Sequence, residues 1–278
     1  MQVNTLVLLA FLGTGCVLMP DHSHDQKKSQ DRLDMAKDYL HKHELEAAEV
    51  ECDKAIAFNH DNDEAYIVRG LIEMVRTVDT QRTMEIDTCL TGVDREVTQR
   101  DLDQSLVKAD LDFERAAKVT PDYGEAWADR GVVHSLQEDY GVATDYFHKA
   151  LSFPMRLANP SLIRADLGWA LFHQKNYVEA AKELRAARQF QPKMCVATYR
   201  LARVYFARQE WEKAAELFQT ASDDPSCGSQ EASYYLMKTR LQQGLVVEAK
   251  AARDACLKLS PSSCIAAQCR ADGQVLGH

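Results

Sequence analysis

The sequence predicts an all-α protein, a right-handed superhelical solenoid of about six stacked helix pairs. The first observation behind this is self-similarity at a period of about 34 residues. Ala126-Trp127-Ala128-Asp129-Arg130-Gly131 is followed by Tyr140, Ala143, Phe147 and Ala150. Leu167-Gly168 is followed by Leu171, Tyr177, Ala180, Leu184, Ala187 and Pro192, and Leu201-Ala202 by Tyr205, Trp211, Ala214, Phe218 and Ala221. Small residues recur where two helices would touch, large ones fill between them, and proline closes a second helix. The second observation is composition. With 278 residues, 46% of them apolar, and only 12 Gly and 7 Pro, the chain is globular rather than collagen-like or low in complexity.

The repeating pattern resembles the tetratricopeptide repeat, a helix pair that cannot bury its apolar face alone and stacks on its neighbours. The same frame places the other units in order. Ala36, Tyr39, Ala48 and Ala55 mark a first repeat from Ser29. A second opens at Asp63 with Tyr66 and Gly70 and closes with Ala109, Phe113, Ala116 and Pro121. Leu236, Ala249 and Pro261 mark a weaker sixth unit, so repeats are expected over 29–261, with 262–278 a partial capping helix and a frayed tail. Gly70 and Ala109 lie 39 positions apart where the frame allows twelve, so about 27 residues, 77–103, are inserted in the second repeat. The insertion reads as a long loop, either a partner-contacting flap or a passive excursion.

Ahead of the repeats, Leu6–Leu12 form an apolar run followed by Gly13-Thr14-Gly15-Cys16. A short apolar core closed by small residues is an export signal, too short to span a bilayer. The run resembles the lipobox of bacterial lipoproteins, which implies a signal peptide over 1–15, acylation of Cys16, and a tether over 16–28. Gly13 departs from the leucine usual three places before the cysteine, and Met1–Thr5 carries no Lys or Arg. In the enteric sorting rule Val17 would not retain the protein at the inner membrane, so a periplasm-facing outer-membrane location is expected, bound to lipid through Cys16.

Tetratricopeptide proteins direct the second, fifth, ninth and twelfth residues of each first helix into an inner groove. Carried over, this implies Leu33, Lys37 and Leu40; Glu64, Ile67, Leu71 and Met74; Glu125, Ala128, Val132 and Ser135; Leu162, Ala165, Trp169 and Phe172; and Val196, Tyr199, Arg203 and Phe206. Such a lining suits an apolar peptide or amphipathic helix anchored by aromatic contacts. Leu33 and Lys37 replace the Lys and Asn with which related proteins clamp a chaperone's C-terminal carboxylate, so that mode is not expected.

The 33 basic and 42 acidic residues give a net charge of −9, which argues against a nucleic-acid binder. No H-E-x-x-H, phosphate-binding glycine loop or G-x-S-x-G is present, and neither an enzyme nor a cofactor is expected. The His22-x-His24 and His41-x-His43 pairs have no completing ligand at fixed spacing, so no metal site is assigned. Of eight cysteines, acylation of Cys16 leaves seven, hence at least one thiol unpaired within the chain. There is no C-x-x-C. Cys195 and Cys227 fall at corners; Cys227, Cys264 and Cys269 cluster near the C-terminal end as a candidate stapled cap; Cys52 and Cys256 read as buried apolar residues.

Lipobox and repeat number together resemble the six-repeat outer-membrane lipoproteins that act as pilotins for type IV pili, the PilF, PilW and Tgl type. That resemblance implies a segment of the pilus secretin as partner, and a role in secretin assembly or localisation and in motility. The alternative is a scaffold or regulator of another envelope machine: barrel assembly, polysaccharide export or a peptidoglycan hydrolase.

Overall fold

The computed structural model describes residues 22–227 and 229–276. Cys16 and the signal segment 1–15 therefore lie outside the described residues. Six helix pairs follow in order: α1 (His22–His41) with α2 (Leu45–Phe58), α3 (Asp63–Arg82) with α4 (Gly92–Val119), α5 (Gly124–Leu136) with α6 (Tyr140–Leu151), α7 (Pro160–His173) with α8 (Tyr177–Phe190), α9 (Cys195–Ala207) with α10 (Trp211–Asp223), and α11 (Gln230–Gln242) with α12 (Val246–Leu259). A last helix, α13 (Cys264–Asp272), and a short 3-10 turn (Gly273–Leu276) cap the stack. Each second helix packs on the first helix of the next pair, which propagates the right-handed solenoid.

The turns within the pairs share one geometry. His43, Glu138, Lys175, Gln209 and Gly244 all have φ between 59° and 74°. In each, the left-handed residue and its successor donate back to the end of the first helix: Gln209 N to Phe206 O at 3.0 Å, and Glu210 N to Tyr205 O at 2.9 Å. That is the Schellman pairing, which satisfies the last carbonyls and reverses the chain in three residues. The first helices start as regularly. Asn62, Asn159 and Ser229 accept from the backbone N–H three residues on, and Pro160 sits inside the first turn of α7.

Within each pair the helices approach at a small residue. Gly131 on α5 lies against Phe147 on α6, and Gly168 on α7 against Leu184 on α8. Phe113, Phe147, Leu184 and Phe218 are all fully buried, and they form the spine of the core together with the alanines that flank them.

Three expectations are corrected. The insertion is not a loop. α3 runs on to Arg82, a π-helical turn spans Thr83–Asp87, and α4 begins at Gly92 and is 28 residues long, about 42 Å. Extending two existing helices avoids a new nucleation cost, and Met84 and Leu102 bury themselves in the cluster that holds Phe113. Residues 22–28, read as tether, are already the first two turns of α1. The tail is not frayed as far as Leu276, which is buried in the main cluster.

The cysteines pair as Cys195–Cys227, Cys256–Cys269 and Cys89–Cys264. Among the described residues Cys52 is the free thiol, and its burial pushes the pKa up to about 12. Cys256, expected as an apolar filler, is instead bonded to α13, because the cap folds back over α12. The cap is stapled, though by Cys256 and Cys89 and without Cys227. The Cys89–Cys264 bond joins the tip of the inserted hairpin to the start of α13, 175 positions on. Between them lies a cleft of about 980 Å³ lined by Val78, Arg82, Ile86, Leu90, Leu259 and Ile265.

Candidate protein-binding groove

The inner-face residues separate by repeat. Leu33 is fully buried against α2, and Ile67 is enclosed in the cluster of Met84, Leu102 and Phe113, so neither faces a groove. Ala128 and Ala165 are buried likewise. In these pairs the fifth residue of the first helix meets a neighbouring helix at close range and serves the core. Leu40, Leu71, Met74 and Val132 are half-buried at the edges of the three clusters, and Leu162 is 38% exposed at the start of α7. Lys37 is ion-paired with Glu64 at 2.7 Å, tying the first two repeats together.

Repeats four to six behave differently. Trp169, Phe172, Tyr199, Arg203 and Phe206 are each half-buried; the first four touch one another, and Phe206 joins them through Tyr235. Trp169 and Phe172 stack at 4.9 Å between centroids, a spacing that one helical turn on α7 imposes. Tyr199 reaches Trp169 at 6.4 Å, and Phe206 meets Trp211 at 5.2 Å. Two residues missed in the sequence complete the group. Tyr235 on α11 contacts Phe206 at 5.5 Å and Tyr199 at 6.4 Å. His173 lies edge-on to Trp169 at 4.5 Å and is stacked on Tyr140 at 4.2 Å. Carrying the frame into the sixth repeat would have placed Tyr234 and Lys238 at the groove positions, next to Tyr235.

Electrostatics follow from this packing. Burial pushes the Tyr199 phenol up to about 12, although Arg203 beside it acts in the opposite sense. His173 is held below its ordinary value by desolvation and then by the neighbouring Arg203. Deeper between the first helices, Arg200 pairs with Asp166. Asp129, one repeat earlier, has a buried Oδ2 with no partner, and burial and then Glu125 and Asp166 push its pKa up to about 8.

Of the two histidine pairs, His43 Nε2 lies 2.9 Å from Asp79. Among the described residues, the one cluster of potential ligands is Cys195, Asp224 and Cys227, and both of its sulfurs are spent in a disulfide. No described helix is long and apolar enough to cross a membrane.

Stacked helix pairs with a half-buried aromatic inner face define a tetratricopeptide solenoid, a fold typical of protein-interaction scaffolds rather than catalysts. The tetratricopeptide repeat family model matches residues 171–226. Among solved structures, the chain is similar to PilW, a widely conserved type IV pilus biogenesis factor. The TM-score is 0.68 at 18% identity, over 86% of this chain and 97% of that one. It is similar to Pseudomonas aeruginosa PilF with a TM-score of 0.65 at 12% identity, over 90% and 99%. YrrB, a tetratricopeptide protein with an unusual peptide-binding site, aligns with a TM-score of 0.52 at 18% identity, over 79% and 97%. No curated protein matches the chain in sequence.

Proposed function

We propose that this chain is a lipid-anchored pilotin that holds a segment of the type IV pilus secretin and promotes its assembly or localisation in the outer membrane, and hence pilus-dependent motility. The observation that carries this is near end-to-end similarity to two type IV pilus proteins, which between them are covered over 97% and 99% of their length. Cys16 would be acylated and tether the solenoid to the periplasmic face of the outer membrane. Acylation with several chains anchors stably where one chain would not. The groove of Trp169, Phe172, Tyr199 and Phe206 would take the apolar secretin segment. Tethering raises the local concentration of the bound segment at the bilayer and shields its apolar side chains.

The test is the state of the secretin on heat-labile multimer gels, with and without this gene, with membranes separated by density. Multimers vanish while monomers persist if the reading holds. Unaffected multimers would return the protein to the wider class of envelope scaffolds. Trp169→Ala with Phe172→Ala should abolish secretin capture while the helical circular dichroism spectrum stays unchanged.

A further inference from the structure

Arg203 occupies the centre of the aromatic group, and its charge is not neutralised there. Its guanidinium lies 3.9 Å from the Tyr235 ring centroid, 5.4 Å from those of Trp169 and Phe172, and 5.8 Å from that of Tyr199. Nη1 donates to Tyr199 Oη at 2.8 Å. Among the described residues it has no carboxylate partner, although the chain carries nine more acids than bases. Three other arginines of the first helices are matched: Arg69 grips Asp112 through two bonds, Arg130 grips Asp110 through two, and Arg200 pairs with Asp166. The packed helices bring other charges near. From α7 come Asp166, already paired, and His173; from α9 comes Arg200; from α11 come Glu231 and Lys238, the latter 3.5 Å from Asp272. None of them neutralises Arg203.

A guanidinium has five N–H donors, and one is used here. The aromatic faces orient its plane and exclude water from its sides, which strengthens any charge-assisted hydrogen bond made at the open edge. We propose that Arg203 is the anion anchor of the groove. It takes the carboxylate of an Asp or Glu side chain inside an otherwise apolar peptide, whose flanking apolar side chains rest on Trp169, Phe172 and Phe206. An internal acid fits better than a chain terminus, because aromatic surface continues past Arg203 on both sides, onto α7 and onto α11. The proposal deepens the groove reading above and rests on it.

The probes are synthetic eleven-residue peptides of alternating Leu and Phe, blocked at both ends, with a central Asp or a central Asn. A third carries Asn and a free C-terminal carboxylate. Titration calorimetry against the full chain should show the Asp peptide binding at least about tenfold more tightly than the blocked Asn peptide, with the preference shrinking as salt rises. Arg203→Met should abolish the difference between the Asp and the blocked Asn peptides, whatever it does to the affinity of both. Equal binding of the blocked Asp and Asn peptides to the unmodified chain overturns the anchor while leaving the groove standing, and this arm needs no protein variant. Preference for the free-terminus peptide overturns the internal-acid assignment. Failure of every peptide to bind overturns the groove and the anchor together.

Discussion

Gly131 lies so close to Phe147 that a Cβ added to it would sit 2.5 Å from the ring. The contact sets how closely α5 and α6 approach. Gly131→Ala should destabilise the protein by about 1–3 kcal/mol, read from chemical denaturation, because the ring is fully buried and has nowhere to move.

The turn at Gln209 tests the opposite sign. Its φ of 59° belongs to the left-handed region, where a side chain is strained, and the sixth repeat already uses Gly244 at the equivalent place. Gln209→Gly should raise stability by about 0.5–1 kcal/mol, after part of the relief is lost to the greater freedom of glycine when unfolded. Thermal denaturation of the single variant checks it.

Asp129 predicts a pH dependence. Its folded pKa of about 8 stands well above its unfolded value, so the folded chain keeps a proton that the unfolded chain releases. That stabilising contribution is complete below about pH 4 and falls progressively as pH rises towards 8. Asp129→Asn should therefore match the parent near pH 4 and become progressively more stable than it as pH rises towards 8. Equal melting temperatures at both pH values would remove the buried acid from the account.

Cysteine chemistry gives a fourth prediction. In a protein carrying Cys16→Ser and kept oxidised, iodoacetamide should modify no described cysteine while the chain is folded. After denaturation without reductant it should modify one, Cys52. Cys89→Ser should accelerate hydrogen exchange over 83–91 and 264–272 and leave α5 to α10 unchanged, because the bond ties the second repeat's inserted hairpin to the C-terminal cap.

The repeat was legible because its signature positions do mechanical work: Gly131, Gly168 and Ala202 admit a helix, and Phe147, Leu184 and Phe218 fill the space beside it. The groove was legible only where the first helix carries surplus aromatic residues. At Leu33 and Ile67 the same frame pointed inward, and nothing local distinguishes a groove position from a core position until the neighbouring helix is placed. The insertion hid its helices because residues 77–103 are rich in Thr, Asp and Gln. Their order comes from continuity with α3 and α4 and from the burial of Met84 and Leu102. Tyr235 was missed because the sixth unit carries few signature residues.

The disulfide connectivity also bears on how the protein must be made. Of the three bonds among the described residues, Cys195–Cys227 alone joins cysteines that are neighbours in sequence; Cys256 passes over Cys264, and Cys89 passes over Cys195, Cys227 and Cys256. A chain oxidised as it emerges, each cysteine taking the first available partner, would trap Cys89 with the wrong one. Correct pairing requires either that the repeats stack first and deliver Cys89 to Cys264, or that an isomerase keeps reshuffling until they do. The last helix must be present before the hairpin is sealed, so an intact Cys89–Cys264 bond marks a chain made at least through Cys264 with its repeats already stacked.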